Sequence, residues 1–282
     1  VTAATASSQD SGASGIGAHG RDWPVGDLTV EIADHVATVT LDRPPVNAIT
    51  RSTMVELRDT FASFAARPEV RVAVFTAVGE KAFMAGVDLK TFDTDDTEAD
   101  PDDPGRLPRA APEAVYDCAV PVIAAVNGPA LGAGLAYAAV CDLILAADHA
   151  TFGTTEINVG LLGASAHLNL LLGRPKVREL YLTGIPATAA ELYRLGAVNR
   201  VVPVADLAAT AAELASSLAA KSPLALRLAK QALNETEFLP LGEAYRTEQG
   251  YTRRLLQHPD SQEARKAFAE KREPNWTYQP GD

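Results

Sequence analysis

The chain has 282 residues, 47% of them hydrophobic, which suffices for one large domain or for a domain with an appendage. With 36 acidic against 25 basic side chains its formal charge is −11, which argues against a nucleic-acid surface, because phosphate binding needs clustered Lys and Arg. Cys118 and Cys141 are too few for a disulfide framework and lack metal-ligand spacing, and no apolar run reaches the ~18 residues of a membrane span, so a cytoplasmic protein with no metal and no membrane or nucleic-acid partner is expected.

Residues 1–25 are rich in Ala, Ser and Gly and have neither an early basic cluster nor an apolar core, the composition of a disordered leader. Residues 28–33 (LTVEIA) and 36–41 (VATVTL) alternate apolar and polar side chains, and Asp34-His35 between them predicts a hairpin. A loop follows, and then residues 51–66 show helical spacing at Met54, Leu57, Phe61 and Phe64, with Thr50 or Ser52 near the cap and Pro68 beyond the end. Residues 70–77 (VRVAVFTA) read as a buried strand. In the loop after it, Ala85-Gly86-Val87 leaves backbone groups accessible. Asp88 suits the cap of a short helix, and Lys90 is either a solvated charge or a phosphate contact. From Thr91 to Pro112 the chain is acidic, proline-rich and aperiodic, which predicts a long loop acting as a mobile lid or left disordered. A short helix over residues 113–118 leads out of it.

Residues 119–136 (AVPVIAAVNGPALGAGLA) organise the chain. An apolar run of the kind buried on both faces of a sheet is broken by Asn127-Gly128-Pro129, and Gly132-Ala133-Gly134 then opens an apolar helix. A helix start free of bulky side chains presents bare N–H groups at a positive dipole end, a place suited to a developing oxyanion; a glycine-assisted helix–sheet contact explains the same residues equally well. Residues 141–147 and 150–153 read as strands. Strand, loop and helix recur with changing details, which suggests repeated right-handed ββα turns rather than one flat doubly wound sheet, and no nucleotide-binding fingerprint is present. Glu156 is a lone carboxylate in an apolar, glycine-containing segment; such a group is costly to bury without a partner, and it is also the kind of group that general acid–base chemistry employs.

Residues 164–172, 176–183 and 189–195 read as helices and 196–202 as a last strand. From Val204 onward the pattern is helical (207–220, 224–235, 241–258 and 261–272), with apolar faces that need another surface, such as a neighbouring subunit, and Trp276 as an anchor near the end. The expected organisation is therefore a leader (1–25), a ββα core (26–203) and a helical oligomerisation region (204–282).

Taken together, VTLDRPPVNAI ending at Ile49, KAFMAGVDLK (81–90), PVIAAVNGPALGAG (121–134), CDLILAADHATFGTTEINVGLL (141–162) and HPDSQEARKAFAEKREPNW (258–276) resemble the crotonase superfamily, the enoyl-CoA hydratase/isomerase family, from about Leu28 to Trp276. The resemblance implies an α/β fold, a spiral of ββα turns with C-terminal helices that trimerise, often into hexamers. It also implies an acyl-CoA substrate, with coenzyme A part of the thioester and no separate cofactor. The N–H groups of Val87 and Ala133 would form an oxyanion hole for the thioester oxygen, where losing one donor typically costs about 10²–10³ in rate. Ala85, Gly86, Asp88, Leu89, Lys90, Gly132, Ala136 and Gly163 would line the acyl-CoA site, and Phe268 and Lys271 would reach the CoA of a neighbouring chain.

Departures from the family pattern sharpen the chemistry. Family hydratases carry two glutamates, one at the position of Ala136 and one at Glu156; here only the second remains. Hydration holds a water between two carboxylates, whereas a 1,3-proton shift needs one base, so double-bond isomerisation fits better than ordinary hydration. A hydratase or another lyase, such as a decarboxylase or retro-aldol enzyme, that recruits a different acid is the rival, and a non-catalytic acyl-CoA binder a second. Leu162 replaces the proline common before Gly163, and the following Ala164-Ser165-Ala166-His167 departs from the usual glycine-rich run, so the acyl pocket is reshaped. Tyr137 is expected in the core, and His167 more readily makes a structural hydrogen bond at a helix start than serves as a pocket acid. With no Ser or Cys between Asn127 and Val140, a serine-nucleophile hydrolase is not expected.

Overall fold

The computed structural model describes residues 26–91, 105–279 and 281. The expected leader at 1–25 and most of the acidic stretch (92–104) lie outside the described residues. The chain opens with the hairpin β1 (Leu28–Ala33) and β2 (Val36–Leu41), turned by Asp34 and His35 at φ 48° and 67°. Two successive positive φ values match the right-handed twist of the flanking strands. Helix α1 (Arg51–Ser63) starts at Thr50, whose hydroxyl accepts the Thr53 N–H while the Thr53 side chain accepts the Thr50 N–H in return.

Strand β3 (Val72–Ala77), helix α2 (Arg106–Tyr116) and strand β4 (Val122–Val126) follow, and then the two-residue β5 (Ala130–Leu131), α3 (Ala133–Ala139), β6 (Leu143–Ala147) and β7 (Thr151–Gly153). After a 3₁₀ turn (Glu156–Val159) come α4 (Ser165–Leu171), α5 (Arg174–Thr183), β8 (Ala187–Thr188), α6 (Ala189–Arg194) and β9 (Arg200–Val202). The chain ends in α7 (Val204–Ala219), α8 (Pro223–Thr236), α9 (Leu241–Gln257) and α10 (Pro259–Glu270).

Two sheets result. The larger has the order β1-β2-β3-β4-β6-β9, parallel except for the opening hairpin, and the smaller the order β5-β7-β8. Each pass of the chain leaves a strand in the large sheet and then adds a rung to a second, shorter layer. Ile49 bridges Val87, Met84 bridges Ala130, β5 pairs with β7, and β7 with β8. The strands β3, β4 and β6 are almost wholly buried, which explains why they read as continuous apolar runs rather than alternating ones. Edge-to-face aromatic contacts run through the core from Phe64 to Phe61, Phe75, Phe83 and Tyr137, with ring centroids 5.1–6.3 Å apart.

Two sequence expectations need correction. The helix expected at 113–118 begins a full two turns earlier, at Arg106. Pro108 sits in its first turn, where a missing N–H breaks no helical bond, and Leu107, Ala111, Pro112 and Val115 bury one face. The boundary placed at 203/204 falls inside the packed core, because α7 lies across β3, β4 and β6 and its Leu207, Ala211, Ala215 and Ala219 join the central cluster. Helix α8 is tied down as well. Buried Arg227 donates to the carbonyls of Phe64, Arg67 and Val70, and Lys230 Nζ lies 2.7 Å from Asp142 and 3.2 Å from the Val115 carbonyl. Among the described α-helices, α9 alone buries no residue.

Candidate active site

The site grows from the start of α3. Gly132 stands before the helix at φ 56°, ψ −114°, a conformation only glycine adopts without strain. At Gly134 an added Cβ would lie 2.1 Å from the Met84 carbonyl oxygen, so the first turn of α3 is pressed onto the backbone of the preceding pass. Leu131 N–H donates to Met84 O at 2.9 Å and fixes that register. Ala133, the first helical residue, has an N–H with no intrahelical partner.

On the adjoining loop, Ile49 N–H donates to Gly86 O and Asp88 N–H to Ile49 O, at 2.9 and 2.8 Å. This bridge uses the groups on either side of Val87 and leaves its own N–H facing away from Ile49. Among the described residues neither the Val87 nor the Ala133 N–H has a protein acceptor. Both residues line one cavity of about 390 Å³, together with Ile49, Met54, Pro108, Pro112, Leu161 and Leu162. Two unpaired backbone donors on residues lining one cavity are free to donate to a ligand oxygen.

Glu156 enters the same cavity from the 3₁₀ turn after β7, which the left-handed Gly160 (φ 75°) terminates. Its carboxylate is wedged between two glycines: a Cβ on Gly132 or on Gly163 would each lie 2.7 Å from Oε1. Oε2 is buried, and among the described residues nothing donates to it. Among the described residues the lone carboxylate meets no counter-charge in space. Ala136, one turn along α3, lines the cavity as well, and Glu156 is the one carboxylate among the described lining residues.

Of the residues expected to line an acyl-CoA site, Ala85, Gly86, Leu89, Gly132, Ala136 and Gly163 are on this cavity. Asp88 and Lys90 are not. Asp88 accepts the Thr91 N–H on its carbonyl at 3.1 Å, and the course of a helix beyond Thr91 lies outside the described residues. Asp88 Oδ1 accepts the Lys90 N–H at 3.1 Å and its Oδ2 meets Arg43 at 3.2 Å, and these contacts hold the carboxyl below the usual range. Arg43 also reaches Asp27, so Asp88 anchors the loop that carries Val87. Lys90 is exposed. Phe268 on α10 is 87% exposed and Lys271 stands in the left-handed position closing that helix, both away from this chain's own cavity.

His167 corrects the expectation of a structural hydrogen bond. It lines the cavity from the first turn of α4, its Nδ1 is buried with no partner among the described residues, and burial lowers its pKa, opposed weakly by Glu113. Tyr137 is core, as expected, but it also joins the cavity wall, its hydroxyl has no partner among the described residues, and burial pushes its pKa upward. Pro108 and Pro112 escaped sequence reasoning because they fell in the stretch taken for a loop; their spacing of four, which puts two positions on one helical face, was the available signal.

Comparison with known proteins returns one family description. Residues 31–279 match the model for "Enoyl-CoA hydratase/isomerase". The chain is 40% identical over 241 residues to the (7aS)-7a-methyl-1,5-dioxo-2,3,5,6,7,7a-hexahydro-1H-indene-carboxyl-CoA hydrolase of Rhodococcus jostii, covering 86% of this chain and 93% of that protein. It is 39% identical over 248 residues to the carnitinyl-CoA dehydratase of Escherichia coli, covering 86% and 94%. Among solved structures, the enoyl-CoA hydratase of Bacillus anthracis superposes with a TM-score of 0.82 at 31% identity, over 89% of this chain and 99% of that one.

Proposed function

Since the chain belongs to the enoyl-CoA hydratase/isomerase family, the crotonase superfamily, we propose that this acyl-CoA enzyme moves a proton through a thioester enolate with Glu156 as the carboxylate that carries it. The observation that carries this reading is the Glu156 carboxylate, wedged between Gly132 and Gly163 beside the unpaired Ala133 N–H, in a cavity where Ala136 supplies no second acid. The Val87 and Ala133 N–H groups donate to the thioester oxygen. As Glu156 takes a proton from the α carbon, the bonding pair passes into the enolate and the charge gathers on that oxygen, where fixed donors need no reorganisation. Returning the proton at the γ carbon completes a double-bond shift with no net gain or loss of atoms. The same carboxylate therefore serves as base and then as acid.

A second reading is hydrolysis. It is favoured by the printed activity of the Rhodococcus relative and by His167, a further proton-handling group on the cavity wall. Glu156 would then deprotonate a water, with no serine nucleophile required. Incubation with a panel of enoyl- and oxoacyl-CoA thioesters, read by mass spectrometry, separates the two: isomerisation leaves mass unchanged, whereas hydration or hydrolysis adds the elements of water. The variant Glu156→Gln should lose about 10²–10⁴ in turnover while still binding the thioester. Unchanged turnover removes Glu156 from the chemistry.

A homotrimer or a dimer of trimers belongs to the same proposal. It is supported by the apolar side chains left in solvent on and before α9 and on α10: Phe238 (78%), Leu241 (85%) and Phe268 (87% exposed). In that assembly Phe268 and Lys271 would approach a neighbour's CoA. The two cysteines are free and buried, in keeping with a cytoplasmic setting, and no described helix is long and apolar enough to cross a membrane.

A further inference from the structure

Two buried asparagines grip one turn from opposite sides of the chain's course. Asn47, 2% exposed, donates its side-chain amide to the carbonyls of Val78 and Ala82 at 3.0 and 2.8 Å. Asn127, 7% exposed, donates to the carbonyl of Ala77 at 2.8 Å and to that of Gly79. All four acceptors lie where the chain leaves β3 on its way to Val87. Neither asparagine is among the residues lining the active-site cavity, so neither has a part in the chemistry proposed above.

We propose that Asn47 and Asn127 are positioning residues for the oxyanion hole, Asn47 setting the Val87 N–H and Asn127 the Ala133 N–H against a single shared turn. This rests on the reading of those two N–H groups as the donors to a thioester oxygen. A backbone donor is placed by whatever holds the chain on either side of it, and Val87 and Ala133 belong to different passes of the chain. The segment after β3 is bonded to both passes. Beside Asn47, Val46 O accepts the Ala85 N–H at 3.1 Å and Ile49 N–H donates to Gly86 O at 2.9 Å, next to Val87. Beyond Asn127, Pro129 O accepts the Phe83 N–H at 3.0 Å and Leu131 N–H donates to Met84 O at 2.9 Å, two residues before Ala133. If the turn shifts, the two donors move relative to one another.

The side chains suit this task. Carbonyls in a turn lack the partners that a strand ladder supplies, and a primary amide brings two N–H donors on one side chain. Asn47 also stands at φ 53°, a left-handed conformation that Asn adopts more readily than most residues, and its Oδ1 accepts the Arg43 N–H at 3.0 Å. Removing either amide strips two carbonyls of their donor, and an acceptor left without a partner away from water is costly enough to move the backbone that carries it.

The thioester carbonyl reports its own hydrogen bonds, because its infrared stretch falls as donors polarise it. Octanoyl-CoA carrying carbon-13 at its carbonyl can be bound to Glu156→Gln protein, so that no turnover intrudes, and its band should lie below that of the free thioester. Asn47→Gly, which keeps the left-handed φ, and Asn127→Ser should each lose about half of that displacement, since one of two donors is then misplaced. With Glu156 intact, the same substitutions should lower kcat about ten- to a hundredfold and leave KM within about threefold on the thioester that the substrate panel identifies. Lys230→Met, which weakens the fold elsewhere, should leave the band in place, as a general loosening of the chain would not. Where Asn47→Gly or Asn127→Ser does not fold, Asn47→Asp or Asn127→Asp, which keeps the shape and exchanges donor for acceptor, takes its place. A band unmoved by the asparagine substitutions, or moved as far by Lys230→Met, overturns the proposal and leaves the oxyanion hole standing. A bound band equal to that of free octanoyl-CoA removes the oxyanion hole and this proposal with it, and a failure to bind removes the acyl-CoA assignment itself.

Discussion

Gly163→Ala isolates the role of the Glu156 position. The new Cβ would lie 2.7 Å from Glu156 Oε1 and 3.4 Å from Cδ, whereas ordinary contact begins near 3.4 Å, so the carboxylate oxygen must retreat by about 0.7 Å. Gly163 does not require a positive φ, so alanine introduces no backbone strain there. A misplacement of about 1 Å in a reacting group can cost on the order of 10²-fold in rate, and 0.7 Å should therefore cost roughly ten- to a hundredfold in kcat. Gly160→Ala serves as the contrast. It imposes a left-handed alanine (φ 75°) where nothing lies within 4 Å of the new methyl, so it should lower stability by about 1 kcal/mol and leave kcat within about threefold. Steady-state kinetics on the thioester identified by the panel, with a thermal midpoint for each variant, gives the comparison. Equal kcat for parent and Gly163→Ala would show that the carboxylate has room to move without consequence, and the wedge would then not be what positions it.

Lys230→Met breaks an ion pair whose lysine is buried and whose nitrogen also serves the Val115 carbonyl; the expected cost is about 3 kcal/mol, a fall of roughly 6–12 °C in thermal midpoint, and a shift below 1 °C would contradict it. Because burial holds the His167 pKa below its ordinary 6.5, the unfolded chain takes up that proton first, so this group's contribution to stability is present above pH 6.5 and declines as pH falls through that value towards the folded pKa. Thermal midpoints measured from pH 7.5 downward should show the decline, and His167→Leu should flatten it; identical profiles would refute the assignment. Leu241→Glu, placed on a residue 85% exposed in the single chain, should convert the proposed trimer or hexamer into a smaller species in sedimentation, and a parent that sediments as a monomer would dispose of the oligomer.

The elements most readable from sequence are those whose local rules and tertiary surroundings agree. The Asp34-His35 turn, the Thr50 cap with the apolar stripe of α1, and the continuous apolar runs of β3, β4 and β6 each follow from nearest-neighbour chemistry. The beginning of α2 was lost because acidic and proline-rich flanks outweighed the i, i+4, i+8 stripe of Leu107, Ala111 and Val115, a stripe that matters only once α1 lies beside it. The packing of α7 is hard to read from sequence for a similar reason. Its alanine-rich face looks weakly apolar by itself, yet small side chains are what let a helix lie close against a sheet.

Sequence by itself determined the pieces of the site: a glycine-opened helix at Ala133, an accessible loop at Val87, a solitary Glu156 and an alanine at residue 136. These are choices of side chain and of permitted φ, and they are local. Only the tertiary structure decided that Val87 and Ala133 line one cavity, that Glu156 is pinned between Gly132 and Gly163, and that His167 and Tyr137 join the same wall while Asp88 turns away to Arg43. Those relations join residues tens of positions apart along the chain. They are set by how successive passes stack through the Ile49–Val87 and Met84–Ala130 bridges, and no periodicity within a single segment encodes them.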